Sequence, residues 1–368
     1  MKLAQFISGK DNNFNLIRIL AAYSVLVTHS FALATGDLYA EPLRAALGVT
    51  IGTIAVDVFF VISGFLVTAS LLTRQSLIEF AISRVLRIYP ALLTMMALVV
   101  FGLGLFFTSL SWSSYLEDPR TYDYLAKGAT LVWGVEFVLP GVFETNPFKL
   151  SVNGSLWTLP NEVWMYLTLS GLWLAVKVAP KSRALAFKSM LLLLTVVTVA
   201  LELLSLWQNS SEHQTLRFAC LFFTGSTYFL LKDYISLRHD LFGAILCATL
   251  VSLIDAKVFS IVYLLAAPYL LFYLAYVPTG FIRKYNRVGD YSFGIYIYAF
   301  PVQQSIAALI PGVGVLEMLS LATVGAVTMA VLSWHLIEHP SLERKGYCVL
   351  RTRLLFESLL ARVIRNKR

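Results

Sequence analysis

The chain has 368 residues, of which 58% are hydrophobic and only 14% charged, and its formal net charge is +8. A soluble globular protein carries about 25% charged residues, so this composition excludes an ordinary soluble enzyme and favours a multi-pass membrane protein. The basic residues lie between hydrophobic stretches and in the C-terminal tail, which argues against nucleic-acid binding. Cys220, Cys247 and Cys348 lack disulfide or metal-ligand spacing, so no metal site is predicted.

Hydrophobic segments long enough to span a bilayer, about 17–25 residues each as helices, follow one another along the chain. We predict an all-α fold with about ten transmembrane helices. The seventh segment is short and is separated from the eighth by a tight turn. The predicted spans are 14–34, 51–72, 88–108, 162–178, 188–206, 216–231, 241–255, 258–277, 291–310 and 317–336.

Lysine and arginine are concentrated in the N-terminal lead, in alternate connections and in the tail. The positive-inside rule then predicts cytoplasmic N- and C-termini and a multi-pass protein of the cell membrane, the inner membrane in a bacterium. Residues 1–340 form one membrane domain, and 341–368 form a basic amphipathic tail expected to lie on an anionic lipid surface. The connection 109–161 is long for a compact fold, which indicates a function.

The first predicted span contains two polar residues, Arg18 and His29. Eleven residues make three helical turns plus about 20°, so both side chains lie on one face, about 16 Å apart. Such residues at membrane depth usually face a bundle interior or a cavity. Arg18 either reaches lipid headgroups or binds a phosphate or carboxylate. His29 is either satisfied by a neighbouring helix or acts as a general base or nucleophile.

The second span contributes Asp57 and, in FFVISGFLV, Ser63 beside Gly64. Asp57 lies at a depth similar to that of His29, because the second helix runs in the opposite direction. We hypothesise that Asp57 accepts a hydrogen bond from one ring nitrogen of His29 and leaves the other nitrogen free to take a proton. The Ser63–Gly64 pair indicates either close helix packing or an opening of the backbone beside a ligand.

A basic motif, SRVLRIYPAL, precedes the third span and contains Arg84, Arg87 and Tyr89. Ordinary topogenic charge is one explanation for the two arginines. The alternative is that this motif binds the phosphates of a soluble donor. The sequence alone leaves both explanations open.

The segment SLWTLPNEVWMY places Glu162 in the first turn of the fourth span. An acidic residue there complements the helix dipole, but Glu162 is also suited to accept hydrogen bonds from a sugar hydroxyl or to act as an acid or base. Trp157 and Trp164 are either interfacial aromatics or platforms for sugar rings. His335 and Glu338, in SWHLIEHP, are expected to cap the last span at the cytoplasmic interface.

Together these stretches resemble the acyltransferase family 3 of integral membrane acyltransferases. The family hallmark is an arginine, ten residues and a histidine in the first helix, matched here by Arg18 and His29. FFVISGFLV, RVLRIYPA, LWTLPNEVWMY and SWHLIEHP follow in the family's order, so the resemblance covers about residues 15–340. It implies transfer of an acyl group, commonly acetyl, from cytoplasmic acyl-CoA to a hydroxyl of an extracytoplasmic glycan or its lipid-linked precursor.

The resemblance also implies residue roles. His29 would be the catalytic histidine and Arg18 its essential partner, and Glu162 would lie in the family's Trp–Glu box. Asp57, from the pairing hypothesis above, completes the predicted catalytic set. The predicted donor-binding residues are Arg18, Arg84, Arg87, Tyr89 and Ser63.

The sequence departs from the family in two respects. Ala299 stands before Pro301 where many members have histidine. The match is to the membrane domain without the SGNH-type esterase extension of some relatives, so acceptor transfer is expected in this domain or with a separate partner.

We therefore predict a membrane O-acyltransferase that uses acyl-CoA, with acetyl-CoA the expected donor, and needs no metal. Its expected partners are a saccharide acceptor and membrane lipids; nucleic acid is excluded, and a homo-oligomer is compatible with the sequence. The alternative is a transporter or flippase with a polar pathway through Arg18, His29 and Asp57. Transporters often contain internal repeats and paired broken helices, and we find neither in this sequence.

Overall fold

The computed structural model describes residues 2–7, 11–149, 151–176, 183–208 and 214–365, with side chains up to residue 358. These residues form an all-α fold, as predicted, in which the only β pairing among them is two isolated bridges. The last two residues of the predicted span 162–178 and the last three of the tail lie outside the described residues.

Within the described residues, each of the ten predicted segments overlaps a helix. We number these helices α1 to α10 in chain order. They are α1 Phe14–Thr35, α2 Ile51–Arg74, α3 Leu77–Leu98, α4 Leu159–Ala175, α5 Arg183–Gln208, α6 Gln214–Leu230, α7 His239–Val251, α8 Ala256–Tyr276, α9 Ser292–Leu309 and α10 Val315–Ser333.

Helix α3 begins earlier than predicted. The hydroxyl of Ser76 accepts a hydrogen bond from the Glu79 amide and caps the helix at Leu77. A π-helical turn, Val99–Gly104, then extends it to Phe107. The basic motif that was predicted to precede the third span therefore lies inside this helix.

Six of the helices in the described residues are long and apolar enough to cross a membrane. Of the other numbered helices, α4, α6 and α7 are shorter than 18 residues, and α9 is less apolar. The protein thus belongs to the class of multi-pass membrane proteins. The six spans are Phe14–Thr35, Ile51–Arg74, Leu77–Phe107, Arg183–Gln208, Ala256–Tyr276 and Val315–Glu343.

Small residues allow α1 and α2 to pack closely against their neighbours. Alanines of α1, α9 and α10, including Ala22 and Ala299, form one buried cluster. On α2, a Cβ atom at Gly64 would lie 1.8 Å from the carbonyl oxygen of Phe222 on α6, so only glycine fits. The packing explanation for Gly64 is therefore confirmed.

The long connection 109–161 contains the helices Trp112–Glu117 and Pro119–Thr130, and its last part is tied to α9. The Asn146 side-chain amide donates to Gln304 Oε1 at 2.7 Å, and the Gln304 amide donates to the carbonyl oxygen of Phe148 at 2.9 Å. Asn153 donates to the carbonyl oxygen of Ile297 at 2.8 Å. These bonds fix the start of α4.

The tail forms a helix, α11 Lys345–Arg365, after the short helix His339–Glu343. The Arg353 guanidinium contacts Glu79 Oε1 of α3 at 2.7 Å. Several large apolar side chains of α11 are exposed, among them Leu350, Leu354 and Phe356. A helix with basic and exposed apolar residues suits an interfacial position.

A buried ion pair joins α2 to α6. Arg217 Nε donates to Asp57 Oδ1 at 3.0 Å and its Nη2 donates to Oδ2 at 2.6 Å. The predicted pair between Asp57 and His29 is therefore wrong. The positions of Asp57 and His29 in the sequence predict their depths in the membrane. They do not predict the direction in which Asp57 points around its helix axis, and Asp57 points to α6.

This pair generates a prediction about stability. Asp57→Ala leaves Arg217 buried without its counter-charge, which typically costs about 3–5 kcal/mol. We expect a clearly lower melting temperature for this variant in detergent micelles. Asp240→Ala is the control, because Asp240 and its partner Arg238 are 64% and 62% exposed and such pairs contribute little. Equal melting temperatures for the two variants would contradict the assignment of Asp57 and Arg217 as a buried ion pair.

Candidate active site

A cavity of about 310 Å³ lies where α1 to α4 meet α9. It brings together residues that are distant in the sequence. Five of the predicted site residues line it, namely Arg18, Ser63, Arg84, Arg87 and Glu162. We call this space the arginine cavity.

Asp290, in the connection before α9, organises the arginine cavity. Its Oδ2 lies 2.5 Å from Arg18 Nη1 and 2.7 Å from Arg87 Nη2, and its Oδ1 accepts a hydrogen bond from the Ser292 hydroxyl at 2.5 Å. Burial opposes ionisation, but the two guanidinium groups hold the pKa of the Asp290 carboxyl down at about 2. Asp290 was not among the site residues predicted from the sequence.

Arg87 also reaches a second carboxylate. Its Nη1 lies 3.6 Å from Glu338 Oε2, and Glu338 Oε1 accepts a hydrogen bond from the Ser333 hydroxyl at 3.0 Å. Glu338 is only 2% exposed. It is therefore part of the ionic network behind the arginine cavity, and its predicted role as an interfacial cap is wrong.

Arg84 differs from the other two arginines of the arginine cavity. No carboxylate of the described residues forms an ion pair with it, and its buried Nε lacks a hydrogen-bond partner there. Its guanidinium carbon lies 5.8 Å from the ring centroid of Tyr166. An arginine in this state at a cavity wall is suited to bind an anionic group such as a phosphate.

Glu162 joins α4 to α2 across the arginine cavity. Its Oε1 accepts hydrogen bonds from the Ser63 hydroxyl at 3.0 Å and from the Tyr166 hydroxyl. The two hydroxyl oxygens lie 2.9 Å apart. Ser63 therefore faces the cavity while its neighbour Gly64 faces α6.

Tyr89 points away from the arginine cavity. Its hydroxyl donates to the carbonyl oxygen of Thr130 at 3.3 Å, on the helix Pro119–Thr130. Two residues after Arg87 correspond to about 200° around the helix, so Tyr89 and Arg87 face opposite sides of α3. The structure does not support the predicted donor contact of Tyr89.

A second cavity, of about 260 Å³, lies at the other end of α1 and contains His29. We call it the histidine cavity. The imidazole packs edge to face against Phe300, with the ring centroids 5.1 Å apart. Its Nδ1 is buried and has no hydrogen-bond partner in the described part of the chain. Among the described residues, no carboxylate forms a hydrogen bond with His29 that would fix its tautomer.

The arginine and histidine cavities share two wall residues, Val56 and Tyr296. The Tyr296 hydroxyl donates to the carbonyl oxygen of Ser155 at 2.8 Å and lies 2.6 Å from Thr158 Oγ1. The boundary between the cavities is thus held by the end of the long connection. Helix α1 runs past it, with Arg18 on one side and His29 on the other.

The two tryptophans of the fourth segment differ in their surroundings. Trp157 lines the histidine cavity and packs on Phe218, with the ring centroids 5.2 Å apart. Trp164 is 46% exposed and donates to the carbonyl oxygen of Val132 at 3.2 Å. Of these two, Trp157 is the one placed to contact a ligand of a cavity.

The fold and the two cavities define an all-α, multi-pass membrane protein whose apolar first helix carries Arg18 and His29. A sequence profile described as an acyltransferase domain matches residues 11–338, and the chain belongs to this family. The resemblance stated above is therefore confirmed, and the protein is by family an acyltransferase.

Two relatives illustrate the family. The chain is 29% identical to an O-acetyl transferase of Shigella phage Sf6, over 92% of this chain and 98% of that protein. It is 35% identical over 167 residues to Nodulation protein 10 of Rhizobium leguminosarum bv. viciae, which is 44% of each chain. No solved structure shows significant similarity.

On α3, Arg87 has carboxylate partners and Arg84 has none among the described residues, and this difference leads to a second prediction. Arg87→Met removes a cation from Asp290 and Glu338, so we expect a lower melting temperature in detergent micelles. Arg84→Met removes a charge that has no carboxylate partner, so the melting temperature should stay the same or rise. The opposite order of the two variants would contradict the pairing.

Proposed function

We propose that this protein is an O-acetyltransferase that moves an acetyl group from acetyl-CoA to a hydroxyl of an extracytoplasmic saccharide or its lipid-linked precursor. The observation that carries the proposal is the course of α1, which places Arg18 in one cavity and His29 in an adjoining one. The similarity to an O-acetyl transferase supports the acetyl group.

The proposed topology has ten spanning helices and cytoplasmic termini in a bacterial inner membrane. The lysine and arginine distribution supports this orientation. Residues 1–340 are the membrane domain, and 341–368 the tail on the inner lipid surface. The arginine cavity then opens towards the cytoplasm, where acetyl-CoA is made, and the histidine cavity towards the outside.

The donor would bind in the arginine cavity through its phosphates. Arg84 offers a guanidinium without a carboxylate partner, whereas Arg18 and Arg87 are already shared with Asp290. The pantetheine arm would extend along α1, past Ser63 and across the boundary, towards His29. The donor would then span the distance of about 16 Å along α1 between Arg18 and His29.

His29 would act on the acceptor. In direct transfer, the imidazole takes the proton of the acceptor hydroxyl as its oxygen attacks the thioester carbonyl; the new C–O bond forms, the C–S bond breaks, and the CoA thiolate takes up the proton. In the covalent alternative, His29 receives the acetyl group first and passes it to the hydroxyl. Both routes leave CoA thiol and an ester.

The structure removes one of the three residues on which the transporter alternative depends. It required Asp57 in a pathway with Arg18 and His29, but Asp57 forms a bidentate pair with Arg217. No observation in the structure favours it over the acyltransferase proposal.

The proposed role of His29 is tested with protein in nanodiscs and acetyl-labelled CoA. General acid–base catalysis contributes typically about 10²–10⁴-fold, so we expect a loss of this size in acetyl transfer for His29→Gln, with unchanged CoA binding. The control is His335→Gln, because His335 is exposed and lies outside both cavities. If both variants retain wild-type activity, the proposal is wrong.

The proposed topology is tested with single cysteines in a variant without native cysteine. Trp133 is 80% exposed and Tyr234 is 72% exposed, and they lie on connections assigned to opposite sides. We expect a membrane-impermeant maleimide to label Trp133→Cys in intact cells and Tyr234→Cys only after permeabilisation. The reverse pattern would contradict the orientation.

A further inference from the structure

The histidine cavity contains a second ionisable residue, Glu41, in the connection between α1 and α2. Glu41 directly precedes the short helix Pro42–Leu47, and only 2% of the residue is exposed. A carboxylate is rarely buried to this extent unless it is paired. The partners of its two oxygens therefore indicate its role.

One oxygen of Glu41 is committed to the fold. Oε1 accepts a hydrogen bond from the backbone amide of Ile51, the first residue of α2, at 2.7 Å. This bond joins the connection to the start of α2 and fixes the carboxyl group at the cavity wall.

The other oxygen of Glu41 is free for a ligand. Oε2 is buried, and no hydrogen-bond donor for it exists among the residues that the structure describes. The cation on the same wall, Arg44, lies over the ring of Tyr39, 4.7 Å from its centroid. A buried carboxylate oxygen left without a donor is costly, and a ligand hydroxyl would remove that cost.

We propose that Glu41 Oε2 accepts a hydrogen bond from a hydroxyl of a saccharide that occupies the histidine cavity and presents another hydroxyl to His29. This inference rests on the proposed function and deepens it by naming an acceptor-binding residue. Trp157, on the same wall, supplies an aromatic surface for the sugar ring.

Glu41→Gln separates the two roles of the side chain. The amide oxygen of glutamine can still accept the bond from Ile51, so the melting temperature should not change. The amide nitrogen that replaces Oε2 cannot accept a hydrogen bond. The matched control is Glu317→Gln, because Glu317 is exposed and its carboxylate also accepts a backbone bond, from Gly314 at 3.2 Å.

The assay uses nanodiscs, acetyl-CoA and the p-nitrophenyl glycosides of glucose, galactose, mannose and N-acetylglucosamine. A hydrogen bond to a charged group is worth about a 10- to 100-fold change in affinity. We expect Glu41→Gln to raise the acceptor KM by this factor, while the KM for acetyl-CoA and its hydrolysis rate stay at wild-type values. Glu317→Gln should match wild type throughout. An unchanged acceptor KM in Glu41→Gln would overturn the proposal.

A comparison on the wild-type protein does not depend on any variant folding. p-Nitrophenyl glucoside can present one hydroxyl to Glu41 and another to His29, whereas 2-(p-nitrophenyl)ethanol has a single hydroxyl, so the glucoside should have an acceptor KM at least about tenfold lower. Equal values, or acetyl-CoA hydrolysis without transfer to any glycoside, would overturn this inference alone. Absence of any acetyl-CoA turnover would overturn the proposed function and this inference with it.

Discussion

The carboxylate of Asp290 is the interaction on which the arrangement of the site depends. Arg18 of α1 and Arg87 of α3 both contact its Oδ2, and Ser292 at the start of α9 donates to its Oδ1. Three helices that are far apart in the sequence therefore meet at one charge. In a low-dielectric interior, each guanidinium would be costly without this partner, so the fold and the positive cavity are stabilised together.

The same physical rule marks where ligands are expected. Most polar groups inside the bundle are satisfied by one another, as in the pairs Asp57–Arg217 and Asn146–Gln304. In the described residues, three of the buried polar atoms without a partner belong to residues that line the two cavities: Arg84 Nε, His29 Nδ1 and Glu41 Oε2. Arg84 is a cation and suits a phosphate, and His29 is a titratable base and suits the site of acyl transfer. Glu41 is an anion and suits a sugar hydroxyl.

The sequence predicted the helices and much of the arginine cavity, because hydrophobic segments and the spacing of Arg18 and His29 on one helix are local properties. It also placed Ser63 and Glu162 among the site residues, and both line the arginine cavity. Their mutual contact could not be predicted, since it depends on how α2 and α4 are rotated against each other.

Two of the predictions that the structure does not support share one physical cause. Asp57 has the predicted depth but faces Arg217, and Tyr89 faces Thr130, because the rotation of a helix about its axis is set by tertiary packing. Asp290 and Glu41 were not selected, since both lie in connections. The arginine partners of Asp290 come from distant helices, and the burial of Glu41 depends on how its connection folds. A polar residue within a hydrophobic span is conspicuous in a sequence, whereas one beside a span looks like ordinary loop charge.

The central claim is that one donor molecule extends along α1 from the arginine cavity to His29. The most direct measurement is a cryo-EM structure of the protein with CoA bound in nanodiscs. The account predicts phosphate density against the Arg84 guanidinium and the pantetheine thiol beyond Val56 and Tyr296, facing His29. CoA phosphates away from Arg84, or a thiol that points away from the histidine cavity, would contradict it.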